Sequence, residues 1–133
     1  LQTNGRRLSR AVTGRWMLVI QQSGALDIHG NYFLVKGKEG VTAAALGQRL
    51  VPLAYDGFSK AFMNRVTDRM GIGLTNHHIF IAAGRSDIWR FSKLFSEVLH
   101  CKVAINTDGG HVVRGRSSTH IVFRWKTEQP ITR

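Results

Sequence analysis

One cysteine, two prolines and only eight acidic residues stand among the 133 positions of the chain. The single thiol, Cys101, excludes an internal disulfide framework and any zinc site built on several cysteines. No apolar run approaches the roughly 18 to 20 residues of a helical membrane span, so no membrane partner is expected. No internal repeat, low-complexity tract or Pro/Gly-rich linker divides the sequence, whose length suits one domain. What is present follows from the shortage of acid. Nineteen Lys and Arg face eight Asp and Glu, a formal net charge of +11, and thirteen of the nineteen are Arg. Guanidinium groups bind phosphate as a planar fork and stack on bases. A charge of that size on so short a chain points to a polyanion, most often nucleic acid. Apolar residues make up 43%, enough for a core, which excludes wholesale disorder.

The charge is uneven along the chain. Arg6, Arg7, Arg10 and Arg15 all precede the first acid, Asp27. Residues 1–14 therefore read as a basic arm, either lying along nucleic acid or left from a mitochondrial transit segment. Residues 15–110 carry the periodic patterns of a folded domain, and 111–133 form a basic extension.

Within that domain, residues 15–22 (RWMLVIQQ) are apolar and β-branched and predict a buried strand. Ala25–His29 and Asn31–Lys36 flank the turn signal His29-Gly30-Asn31 and predict a hairpin. Val41–Leu46 predicts a third strand. Pro52 then suits a first helical position, and Tyr55, Phe58, Phe62, Val66 and Met70 follow at helical steps, with Gly71 and Gly73 as its terminator. Asn76–Ala83 reads as a core strand. Ser86 as N-cap, Asp87 in the first turn, and Ile88, Phe91, Leu94, Phe95 and Val98 on one face predict a second helix. Lys102–Thr107 predicts a last strand, and 111–126 a further hairpin with a basic loop. The expected fold is α/β: a mixed sheet of about five strands with parallel crossovers and two helices.

The order β-β-β-α-β-α-β, with Val51-Pro52-Leu53-Ala54, Gly71-Ile72, Ile81-Ala-Ala-Gly84-Arg85-Ser86-Asp87-Ile88 and Val103-Ala-Ile-Asn-Thr107-Asp108 at matching places, resembles the bacterial-type ribosomal small-subunit protein eleven family over residues 15–110. The shortened Gly84-Arg85 loop, the Ala-rich stretch 41–50 and the extra hairpin in place of a proline-containing tail suit a divergent organellar member. The resemblance implies a structural constituent of the small subunit, in a mitochondrial or chloroplast ribosome. Its partners would be rRNA and neighbouring ribosomal proteins, with no cofactor, small-molecule substrate or catalysis. The large-subunit protein eighteen family, of similar topology, is the nearest alternative.

The candidate RNA-binding residues are Arg6, Arg7 and Arg10 of the arm, Lys36 and Lys38 on a hairpin end, Gly84, Arg85 and Ser86 before the second helix, and Arg114 and Arg116 in the last loop. Gly84-Arg85-Ser86 ranks first, because a glycine, a helix N-terminus and a guanidinium together suit a phosphate. Arg114-Gly-Arg116-Ser-Ser places two forks and two hydroxyls on one loop. Lys36-Gly37-Lys38 is not a Walker loop. His77-His78 would point to opposite faces of a strand, which speaks against a shared metal. Of the three tryptophans, Trp16 and Trp89 are expected to pack inside, with Trp125 open. Two other classes stand beside RNA binding. A ribonuclease-H-like nuclease would need clustered acids, and only Asp27 and Asp108 can pair. A DNA-binding regulator finds no helix-turn-helix or zinc-finger spacing.

Overall fold

The computed structural model describes residues 2–8, 16–30, 35–45 and 47–109. Strands β1 (Gln2–Thr3), β2 (Arg6–Arg7), β3 (Met17–Gln21), β4 (Leu26–His29) and β5 (Val41–Ala45) form a first sheet in the order β2-β1-β5-β3-β4. Strands β6 (Arg49–Val51), β7 (Thr67–Leu74), β8 (Ile79–Ser86) and β9 (Val103–Gly109) form a second, in the order β6-β9-β7-β8. Helix α1 (Lys60–Asn64) precedes β7, and α2 (Ile88–Lys93) runs on into a π-helical turn, Leu94–Val98. The class is the expected mixture of strands and two helices. Its arrangement differs: two sheets replace one, and every described strand pair is antiparallel.

Side-chain alternation explains the layering, since successive strand residues point to opposite faces. In β3, Leu18 joins Ile28 of β4, Ile72 and Leu74 of β7 and Ile105 of β9 in a core between the sheets. Met17 and Val19 point the other way, to Val35, Val41 and Ala43. On the far face of the second sheet, Leu50, Met63, Ile88, Phe91, Phe95, Cys101 and Ala104 pack the helices down. The order of layers is helices, second sheet, first sheet.

The predicted long helix over 52–70 is where the structure departs most. Asp56 and Gly57 have φ of 46° and 80°, left-handed values that no helix interior accepts. Pro52 opens no helix. α1 starts at Ser59, whose hydroxyl accepts from the Phe62 amide at 3.1 Å, and is already over at Asn64. Gly71 and Gly73, expected as a helix terminator, lie inside β7, on its helix-facing side. A Cβ on Gly71 would stand 3.0 Å from the Phe95 ring, and one on Gly73 2.5 Å from that ring and 2.6 Å from Cys101 Sγ. The two glycines are the groove that Phe95 fills. β4 pairs with β3 around Gly24, which has φ of 87°; the hairpin expected between Ala25–His29 and Asn31–Lys36 falls partly outside the described residues. Of that second run only Val35 and Lys36 are described, and they belong to a turn. The hairpin expected over 111–126 lies outside the described residues.

Candidate nucleic-acid interface

The cations of the first sheet are brought together by three uncharged residues near the N-terminus. Gln2 is 1% exposed. Its Nε2 donates to the Val35 carbonyl at 2.8 Å and the Val41 carbonyl at 3.3 Å, while its Oε1 accepts from the Gly37 amide at 3.2 Å. Asn4 Oδ1 accepts from the Gly40 amide, and the Gly5 amide donates to the Val41 carbonyl at 3.0 Å. Gly5, with φ of 77°, lies so close to the 35–40 turn that a Cβ would stand 2.7 Å from the Lys38 carbonyl oxygen. The β1–β2 hairpin is thereby fastened to that turn. Arg6 and Arg7 on the edge strand, and Lys36 and Lys38 on the turn, are all exposed. Glu39 is the one acid within these two segments, so among the described residues four cations and one anion share this end of the sheet. Such a concentration raises the local potential and attracts phosphates.

The setting of Gly84-Arg85-Ser86 differs from the expected loop. These residues do not form a loop before a helix but the end of β8, with Gly84, Arg85 and Ser86 opposite Arg69, Asp68 and Thr67 of β7. The N-cap is Asp87, one residue later than expected, and its carboxylate accepts from the Arg90 amide at 2.8 Å. An anion already occupies the helix start, which repels a phosphate there instead of inviting one. Ser86 Oγ donates to the Asp87 carbonyl. Arg85 is exposed on β8, the outermost described strand of the second sheet, and can still meet a polyanion as a surface cation.

Arg69 is a cation with a different purpose. It is fully buried; Nε donates to the Ser86 carbonyl at 2.8 Å, and Nη2 to the carbonyls of Phe62 at 2.9 Å and Arg65 at 2.7 Å. The guanidinium thus ties the end of α1 to the junction of β8 and α2, over the Phe62 ring at 4.9 Å. Burial pushes its pKa below the ordinary value, and nearby Arg65 pushes the same way against the attraction of Asp87. Arg49 is likewise engaged, 4.4 Å from the Trp16 ring centroid and 3.6 Å from Asp56.

Trp89, expected inside, is on the surface. It is 37% exposed and Tyr55 53%; the rings meet edge to face at 6.0 Å, and Trp89 Nε1 donates to Asn64 Oδ1 at 2.8 Å. Its place beside Ile88 in the sequence masked this, since neighbours on a helix point 100° apart. Trp16 is half-buried against the inter-sheet core as expected. Cys101 is a buried free thiol whose pKa burial raises. His77 and His78 lie in the exposed β7–β8 turn, both amides donating to Thr75 Oγ1. Asp27 and Asp108 stand in different sheets, on β4 and β9. Among the described residues no three His, Cys, Asp or Glu side chains come together as metal donors. No helix among them is long and apolar enough to cross a membrane. Arg10, Arg114, Arg116 and Trp125 lie outside the described residues. No family model, curated protein or solved structure matches the chain.

Proposed function

We propose that the protein binds RNA through phosphate contacts as a structural, non-catalytic constituent of a ribonucleoprotein particle. The organellar ribosomal small subunit is the particle that the sequence resemblance favours. The observation that carries this reading is the convergence of Arg6, Arg7, Lys36 and Lys38 at one end of the first sheet, through hydrogen bonds of the buried, uncharged Gln2. Two segments about thirty residues apart are locked together, and what they share is exposed positive charge. The net charge of +11 supports the same class of partner. The antiparallel topology lends the ribosomal resemblance no weight of its own, so the charge argument is the stronger support.

Fluorescence anisotropy of a labelled RNA across a salt titration tests the reading. With about five phosphates neutralised, log K falls against log salt with a slope near −4, at roughly 0.7 to 0.9 per contact. A slope shallower than about −1 overturns it. RNA incubated with the protein and Mg²⁺ stays intact; cleavage that disappears in Asp27→Asn/Asp108→Asn would replace the structural reading with a nuclease.

A further inference from the structure

The helical layer carries a second surface that phosphate binding at the first sheet does not use. Tyr55 and Trp89 keep large aromatic area in water, while Phe91 and Phe95 of the same layer are buried. The edge-to-face contact with Tyr55 and the hydrogen bond to Asn64 hold the indole in one orientation. A fixed ring open to solvent is preorganised for stacking, because little freedom remains to be lost on binding. Cations flank it. Lys60 lies one turn before Asn64 on α1 and Arg65 directly follows Asn64, while Lys93 lies one turn after Trp89 on α2; all three are exposed. The nearby acids are engaged. Asp56 accepts from the Arg49 amide at 3.0 Å and lies 3.6 Å from its guanidinium; Asp87 caps α2 and lies 3.7 Å from Arg90 Nε. Glu97 is two turns further along the helix. An aromatic face bordered by cations is how sequence-tolerant proteins hold unpaired nucleotides, stacking the base and tracking the backbone. A duplex keeps its base faces covered and has nothing to offer such a ring.

We propose that Tyr55 and Trp89 form a base-stacking site for single-stranded nucleic acid, with Lys60, Arg65 and Lys93 holding the flanking phosphates. The proposal rests on the RNA-binding reading and adds the strandedness of the ligand and a second contact surface. The test uses the full chain with a labelled short oligouridylate and a labelled RNA duplex, read by anisotropy, with circular dichroism melting of every variant. The wild type binds the single strand more tightly than the duplex. Trp89→Leu weakens single-strand binding about 5- to 150-fold, the range for loss of one base–aromatic stack, and leaves duplex binding and the salt slope unchanged. Trp89→Phe, which keeps a ring, retains most of the affinity, and Tyr55→Leu, which keeps the indole and its hydrogen bond to Asn64, loses less than Trp89→Leu. Single-strand affinity unchanged in Trp89→Leu, with a steep salt slope, overturns the stacking site and leaves the phosphate reading standing. Equal losses for both ligands that Trp89→Phe does not restore also overturn it. A wild type that binds neither ligand removes the RNA reading itself. Dimerisation abolished by Trp89→Leu with RNA affinity intact assigns the surface to a second copy of the chain, and so overturns the proposal as well.

Discussion

Phe95 and Gly73 are two halves of one contact, and they respond to substitution in opposite senses of volume. Phe95 is fully buried, so Phe95→Ala leaves a cavity and costs about 3 to 5 kcal/mol in urea denaturation. Gly73→Ala pushes a methyl to 2.5 Å from the ring and 2.6 Å from Cys101 Sγ, and overpacking costs about 1 to 3 kcal/mol. A Gly73→Ala variant as stable as the wild type would mean that α2 sits further from the sheet. Only half of this contact was legible in the sequence. Phe91 and Phe95 stand at helical spacing and were expected to face the sheet, as they do. A glycine's absent side chain has no pattern, and next to an apparent helix end it looked like a cap. Arg69 is similar: a buried guanidinium has no sequence signature distinct from a solvated one. Arg69→Lys keeps the charge but loses the fork that spans the carbonyls of Ser86, Phe62 and Arg65. It is expected to cost about 1 to 3 kcal/mol, the penalty for leaving buried acceptors unpaired. Equal stability of Arg69→Lys would show that one ammonium satisfies the junction.

At the scale of elements, the second helix is legible in the sequence and the first is not, and the cause is the same physical quantity in both. Helical spacing from Tyr55 to Met70 is real, but spacing reports which side chains can share a face, not what the backbone does between them. Two left-handed residues, Asp56 and Gly57, end the helical option upstream. The alternation of Ile72 and Leu74 against Gly71 and Gly73 makes a strand downstream. The second helix starts one residue later than the sequence suggests. Ser86 and Asp87 are both good caps, and tertiary geometry chose Asp87 because Ser86 is still paired in β8. Asp87→Ala therefore costs about 1 kcal/mol, the usual loss of an N-cap, whereas Ser86→Ala costs less, since its hydroxyl serves no helix amide. Thermal melts of the two variants distinguish them; a larger effect at Ser86 would return the cap to that residue. The end of the helix carries one further departure. The Leu99 amide reaches the Leu94 carbonyl at 3.0 Å, an i to i+5 bond that widens the last turn. The extra residue shifts the phase, so Val98, expected on the buried face, is 65% exposed.

At the scale of the whole molecule, the layering separates the two charged surfaces. The Arg6–Lys38 cluster belongs to the first sheet, the Tyr55–Trp89 surface to the helices, and the second sheet lies between them. The net charge points to a polyanion but does not reveal this division, because burial and pairing take up some cations, Arg69 and Arg49 among them. The separation makes the contribution of one surface measurable without the other. Arg6→Ala, Arg7→Ala, Lys36→Ala and Lys38→Ala combined remove four exposed side chains and none of the buried Gln2 hydrogen bonds. Stability should therefore move by little, within about 0.5 kcal/mol per site for exposed positions. RNA affinity should fall, and the salt slope should become shallower by about 3, four contacts at roughly 0.7 to 0.9 each. The same variant should lose co-sedimentation with the small ribosomal subunit that the wild type is expected to show. Comigration of the wild type with the large subunit would favour the alternative ribosomal family. An unchanged slope would mean that the cluster faces water in the complex, and the RNA-binding surface would then have to be sought on the helical layer alone.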